Sequence, residues 1–269
     1  MILSRPPTII VLLLICLLFP QKSLSQNLVK KAHSHNDYLN NRPLLNALEN
    51  KFKSIEVDIF FLNSKLYVGH SWLQLRKDKT IETLYLDPLW KNYKDNNGEI
   101  YKNDNSLYLL VDIKTSAEKT YRALEKTLRQ YSPLLSSVIS DSLTKRSVTV
   151  ILSGNRPNIE NIKNTEERFV FLDGRLSDVS KNISNVIMPI ISMSWSDHFT
   201  WGGTGTMQNK ELLILEEIIN RVHNENKLIR FWASPDNKEG WKLLQSLEVD
   251  LINTDKINQF STYYKTKNY

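Results

Sequence analysis

Cysteine is nearly missing from this chain: one residue in 269, Cys16. A single thiol excludes a disulfide scaffold and any zinc or iron–sulfur site built on thiolates. After residue 30 no apolar run approaches the ~18 residues that a membrane span requires. There is no arginine-rich arm and no basic run interleaved with stacking aromatics, so nucleic acid is not an expected partner. Neither an internal repeat nor a low-complexity linker divides the chain, which argues for one domain. What remains is ordinary globular composition, with 41% hydrophobic and 24% charged residues. Wholesale disorder is thereby excluded. The formal net charge of +6 is mild, and it is compatible with an anionic substrate or with peripheral contact to a membrane surface.

The first residues read as an export signal. Arg5 supplies a positive start, Thr8 to Phe19 is almost unbroken apolar sequence, and Ser23-Leu24-Ser25 has the small-x-small pattern of a cleavage site. Cleavage is expected after Ser25, leaving residues 26–269 as a single domain in the periplasm or outside the cell. An uncleaved membrane anchor is the main rival. A lipoprotein signal would use Leu13-Leu14-Ile15-Cys16, but Ile15 is bulky where a small residue is needed.

Beyond the leader, strand-like and helix-like patterns alternate. β-rich runs occur at Leu28–His33, Ser54–Phe60, Leu107–Lys114, Ser147–Ser153, Phe169–Leu172, Val186–Met193, Leu228–Ala233 and Asp250–Asn253. Thr115 and Glu118 have the spacing of a capping box, opening a helix through Tyr131 with Ala117, Tyr121, Leu124 and Leu128 on one stripe. Leu212, Leu215, Ile219 and Val222 mark a second helix, and Trp241, Leu244 and Leu247 a third. Pro43 suits the first turn of a short helix carrying Leu44, Leu45 and Leu48. Eight strands alternating with helices predict an α/β fold, a single (β/α)8 TIM barrel. The run Lys65–Val68 reads as an extra strand paired with the end of the second, and the connection to the third strand is long. A doubly wound open sheet is the rival, but no Gly-rich phosphate loop follows the first strand.

The polar residues in these runs carry the chemistry. Glu56 and Asp58 are two apart in Ile55-Glu56-Val57-Asp58-Ile59, so on a strand they share a face and can hold one cation. Asp112 and Lys114 repeat the device in the third run. Parallel barrel strands are covered on both faces. Carboxylates there are costly unless they are paired or bound to metal. His33 ends the first run in His33-Ser34-His35-Asn36-Asp37, and His70 ends the Leu66–Gly69 run. Three histidines at strand ends beside acidic termini fit a shared site on the catalytic face of a barrel. Oxygen donors without thiols select a hard cation, Mg²⁺ or Ca²⁺. Such an ion neutralises phosphate oxygens, while two histidines act as base and acid in a displacement at phosphorus. Arg156, Arg175 and Arg230 are candidates for phosphate contact or for structural ion pairs. His198 and His223 are read as background, His198 lying in a polar stretch, Ser194–Thr206, that could serve as a lid or a plain surface loop.

These strings together resemble the glycerophosphodiester phosphodiesterase and phosphatidylinositol-specific phospholipase C superfamily. Within it the nearest likeness is to the branch of the altered inheritance of mitochondria proteins and their bacterial relatives. The matching stretches are Ala32-His33-Ser34-His35-Asn36-Asp37-Tyr38, Arg42-Pro43-Leu44, Ser54 to Ile59, Leu66 to His70, Val111 to Thr115, Arg230 to Ala233 and Asn253-Thr254-Asp255. They run in order along essentially the whole exported chain. The resemblance implies a TIM barrel with one divalent ion and a phosphoric diester hydrolase acting on a glycerophosphodiester- or phospholipid-like substrate, with a place in lipid metabolism. By position it implies Glu56, Asp58 and Asp112 as metal ligands and His33, His70 and Lys114 as catalytic residues. His35 and Asn36 are possible additions, and His35 is the alternative to His33. The chain reads His33-Ser34-His35-Asn36 and His70-Ser71 where the glycerophosphodiesterases usually read His-Arg-Gly and His-Asp, which implies a different substrate pocket. Two rival functions stand beside this one. A metal-dependent amidohydrolase would use His33-x-His35 and Asp255 but leaves Glu56-x-Asp58 unexplained. A secreted binding protein would keep the barrel without turnover.

Overall fold

The computed structural model describes residues 29–101 and 106–267. The expected leader, residues 1–25 with its cleavage point, lies outside the described residues. Eight strands form the barrel: β1 (Val29–Ser34), β2 (Phe52–Leu62), β3 (Leu107–Ile113), β4 (Val148–Gly154), β5 (Val170–Gly174), β6 (Ile190–Ser194), β7 (Leu228–Trp232) and β8 (Leu251–Thr254). Each is parallel to its neighbour in sequence order, and β1 closes the cylinder by pairing with both β8 and β2. The extra strand Lys65–Val68 lies antiparallel on the end of β2, Ile59 opposite Val68. The predicted single (β/α)8 barrel is the observed fold. Among the described residues six α-helices lie between barrel strands, α1 (Leu45–Glu49), α2 (Asp87–Asp95), α3 (Ala117–Leu128), α4 (Ile159–Lys163), α5 (Asn209–His223) and α6 (Lys238–Ser246), and α7 (Ile257–Lys267) follows β8. None of the described helices is long and apolar enough to cross a membrane.

Alternation along the strands sorts the side chains into two cores. Leu109, Val111, Val150, Leu152, Val170 and Ile229 belong to the larger cluster, which packs against the helices. The residues one step away, Leu110, Ile151, Phe171, Ile190 and Leu251, form a separate apolar plug inside the barrel. Two residues further along each strand the same inward face turns polar, with Asp112, Ser153, Asp173, Ser192 and Asn253. Since residues i and i+2 share a face, the plug becomes the floor beneath a polar ring at the C-terminal ends of the strands.

Three local expectations are corrected. The capping box does not form, because Ser116 is the N-cap and its side chain makes no cap hydrogen bond. Thr115 Oγ1 instead accepts from the Phe61 amide at 3.0 Å, and Glu118 accepts from the Asn158 amide at 3.0 Å. Pro43 precedes the helix rather than opening it; Leu44, at φ 61°, is the N-cap of α1. The sixth strand starts at Ile190, not Val186, because Ile187 and Met188 are tied into a turn on the Ser184 carbonyl. The stretch Ser194–Thr206 is pinned: Trp195 is buried against Phe199 and Phe231, and Glu211 accepts from the Thr200 amide and hydroxyl.

Candidate active site

β2 points Ser54, Glu56 and Asp58 into the barrel, and β3 brings Asp112 level with Asp58. Oxygen atoms of Glu56, Asp58 and Asp112 lie within 4.8 Å of one another. The spacing seen in the sequence thus delivers two acids from one strand, and strand register delivers the third. Room for Asp112 is created by Gly154 at the end of β4. A Cβ at Gly154 would stand 2.0 Å from Asp112 Oδ1, and the residue's φ of +66° also favours glycine.

Each acid has a different set of partners. Glu56 Oε2 accepts from His33 Nε2 at 2.9 Å and from Arg230 Nη2. The Arg230 guanidinium, with the His33 hydrogen bond, holds the Glu56 carboxyl well below the usual range against the opposing effect of burial. Asp58 Oδ2 accepts from the Tyr38 hydroxyl at 2.7 Å and lies 3.1 Å from both His70 Nδ1 and Lys114 Nζ. Its other oxygen, Oδ1, is buried with no hydrogen-bond partner. Asp112 pairs with Lys114 at 3.2 Å. Burial and the neighbouring Asp58 charge outweigh Lys114 and push the Asp112 carboxyl up to about 6. Three carboxylates therefore face two permanent cations, Lys114 and Arg230. Excess negative charge and an orphaned buried carboxylate oxygen are what a hard cation would relieve, so the residues present fit such an ion.

The two histidines of the first loop are not equivalent. His33 is fully buried and uses both ring nitrogens, Nδ1 with Ser54 Oγ at 2.7 Å and Nε2 with Glu56. Burial, helped by the Arg230 charge, lowers its pKa to about 3. His35 is partly exposed; its Nδ1 lies 2.9 Å from Asp255 Oδ1, and Asn36 Nδ2 stands 3.3 Å from both of its ring nitrogens. Burial pulls His35 down, yet the Asp255 hydrogen bond and the Glu56 charge leave it above its ordinary value. His70 is more than half exposed at the mouth. The Tyr38 hydroxyl sits 2.8 Å from Asn36 Oδ1 and 3.3 Å from His70 Nδ1, so its one proton serves Asp58 or Asn36 but not both. Asn36 itself adopts a left-handed backbone, φ 45°, a conformation asparagine tolerates.

The arginines act as structural partners. Arg230 binds Glu56 and Asn253, Arg175 pairs with Asp173 at 2.9 Å and lies over the Trp232 ring, and Arg156 lies 3.4 Å from Asp178. His198 is exposed in its loop and His223 pairs with Asp250 at 2.8 Å, and neither belongs to the carboxylate cluster. Among the described residues, the one cluster suited to a metal ion contains no histidine, so the amidohydrolase ligand set is not assembled. Tyr38 and Gly154 carry no role in the sequence reading. Tyr38 stands in the quoted motif as an ordinary aromatic, and the closeness of Gly154 to Asp112 depends on two strands being neighbours.

Comparison with known proteins identifies the family and the shared barrel. The AIM6-like phosphodiesterase domain family matches residues 22–173. The altered inheritance of mitochondria protein 6 homolog of Arthroderma benhamiae is 28% identical, over 86% of this chain and 83% of that protein. The protein 6 of Saccharomyces cerevisiae strain S288c is also 28% identical, over 84% of this chain and 68% of its own length. Among solved structures, a calcium-dependent phosphoinositol-specific phospholipase C from a Pseudomonas species superposes with a TM-score of 0.58 at 12% identity, over 87% of this chain and 92% of that one. A glycerophosphodiester phosphodiesterase from Parabacteroides distasonis gives 0.54 at 12% identity, over 89% and 98%. At such identities these two establish the shared barrel and nothing finer. The family match covers more than half of the residues and takes in His33, His35, Glu56, Asp58, His70, Asp112 and Lys114, and this chain belongs to the AIM6-like phosphodiesterase domain family.

Proposed function

We propose that the protein is a divalent-cation-dependent phosphoric diester hydrolase acting on a glycerophosphodiester- or phospholipid-like substrate. The observation that carries this is the Glu56–Asp58–Asp112 cluster with a buried, unpartnered Asp58 oxygen, set at a mouth where His35 and His70 remain accessible. Glu56, Asp58 and Asp112 would hold one Mg²⁺ or Ca²⁺, with the Asn36 side-chain oxygen nearby as a further donor. When bound, the ion supplies positive charge against the phosphate oxygens. His35, braced through Nδ1 by Asp255, takes the proton of the attacking hydroxyl or water as the new P–O bond forms. His70, braced through Nδ1 by Asp58, gives a proton to the departing alkoxide as the old P–O bond breaks. Lys114 faces a non-bridging oxygen of the phosphate. His33 has no free nitrogen and is held neutral. Its part is to position Glu56, so the role first assigned to it passes to His35. The setting we propose is outside the cytoplasm, on the strength of Arg5, the apolar run that follows it and Ser23-Leu24-Ser25.

The test is release of nitrophenol from a bis-nitrophenyl phosphodiester. Turnover that needs Mg²⁺ or Ca²⁺ and stops with chelator is expected. Hydrolysis that survives complete chelation contradicts the mechanism. No turnover with any divalent ion favours a binding protein that has kept the fold.

A further inference from the structure

The loop that follows His70 turns apolar side chains outward. Leu73 is 88% exposed and Trp72 57%, and across a groove Leu39, in the turn after β1, is 59% exposed. The groove has a volume of about 680 Å³, and Tyr38, Leu39, Leu73, Leu84, Arg76 and Lys79 are among its walls. Tyr38 is the residue whose hydroxyl binds Asp58, so this groove borders the candidate site. The loop is braced at two points. Trp72 packs edge-on against Phe60 with ring centroids 4.7 Å apart, and Gln74 Oε1 accepts from the His70 amide at 2.7 Å. Leaving leucine and tryptophan in water on a braced loop forgoes the gain of burial, and such a patch marks an interaction surface.

The charge around the patch narrows the partner. Residues 76–79 read Arg-Lys-Asp-Lys, three bases against one acid, and all four are exposed. Apolar side chains flanked by Lys and Arg suit a surface that is apolar a few ångströms down and anionic at its face. We propose that Leu39, Trp72 and Leu73 dock the mouth of the barrel onto an anionic lipid bilayer, with Arg76, Lys77 and Lys79 facing the head groups. Docking there sets the groove beside Tyr38 against the membrane, so a phosphodiester lipid would reach the site without crossing open water. The surface is independent of turnover. It would operate in a protein that binds lipid and never cleaves it.

The test uses the exported chain, residues 26–269, which has no cysteine of its own, with a solvent-sensitive dye on Leu73→Cys. A second protein carries the dye on Leu213→Cys, an exposed position of α5, the helix between β6 and β7. Vesicles of phosphatidylglycerol and phosphatidylcholine should shift the dye at position 73 to the blue and leave the dye at 213 unchanged. Lys77→Glu with Lys79→Glu should weaken the response by about tenfold or more. Trp72→Ala with Leu73→Ser should lower vesicle partitioning by at least about tenfold while hydrolysis of a soluble diester is retained. A shift at both positions, or none at either, overturns the proposal. So does a shift indifferent to the two lysine reversals. Self-association lost in the Trp72 and Leu73 double variant, with no response to vesicles, would instead assign the patch to a second copy of the chain. Loss of diesterase activity with docking intact would sink the proposed reaction and leave this inference standing.

Discussion

The floor and the ring of the barrel are built from the same strands, two residues apart, with opposite chemistry. Leu110, Ile151, Phe171, Ile190 and Leu251 fill the lower lumen with aliphatic and aromatic carbon. Asp112, Ser153, Asp173, Ser192 and Asn253 occupy the next inward positions. The floor is stabilised by removal of apolar surface from water, which is non-directional. In the ring, each buried polar group needs a partner or it costs stability. Partners are found on other strands, as in the Glu56–Arg230 pair and the Ser153–Asp173 pair of adjacent strands. Hydrogen bonding is incomplete at Asp58 Oδ1 and Asp112 Oδ1, and also at Asp173 Oδ1, Ser192 Oγ and Asn253 Nδ2. What sets the first two apart is that they stand in the three-carboxylate cluster, where a function is the economical explanation. Stability should therefore reside mainly in the floor and chemistry in the ring.

The sharpest way to break that division is at the rim. His70→Ala should cost about 10²- to 10⁴-fold in kcat on diesters with poor leaving groups and far less on nitrophenyl esters, which need no acid. Steady-state kinetics on paired substrates read this, and equal losses on both would remove His70 from the acid's role. On the floor, Phe171→Ala should lower unfolding stability by about 3–5 kcal/mol. Its kcat/KM per folded molecule should barely change. Denaturant melts and active-site-normalised rates would show whether floor and ring are in fact separable. Between the two, Glu56→Gln keeps the shape but removes charge opposite Arg230. Isothermal titration should report at least about tenfold weaker divalent-ion binding, and an unaltered titration would mean Glu56 is no ligand.

The smallest effect lies outside the barrel lumen. Glu125 of α3 accepts from the Phe169 amide at 2.9 Å while its second oxygen is buried without a partner. Burial pushes its carboxyl up to about 7 from 4.5. Between those values the folded chain keeps a proton that the unfolded chain has released, so stability falls as pH rises through the window and levels off above it. Glu125→Gln should flatten that slope and add about 1–3 kcal/mol at pH 8. A wild-type stability that stays level from pH 4.5 to 7 would contradict the assignment.

Much of the fold is legible along the chain because strand periodicity and burial are local properties. Acids flanked by Ile and Val on a period of two announce Glu56 and Asp58 as inward-facing, and the apolar runs mark all eight strands. The pairing of those faces is not local. Arg230 meets Glu56 across 174 positions and Asp255 meets His35 across 220. The capping box fails for the same reason, since Glu118 finds a better partner in the Asn158 amide on another segment. His33 and His35 are two apart and chemically identical in the sequence. One is closed in by Ser54 and Glu56, and the other opens to the mouth beside Asp255.

The order of residues alone determined which side chains share a face of each barrel strand, how many strands the barrel has, and that hard oxygen donors gather near strand ends. The small sheet of Ser137–Ile139, Ser142–Thr144 and Glu167–Arg168 was not legible there. Tertiary structure decided which imidazole is sealed from the mouth, which carboxylate oxygens go unpartnered, and which leucines and tryptophans stay in water. The reason is that periodicity is written residue by residue, whereas desolvation and pairing depend on the register in which the barrel closes.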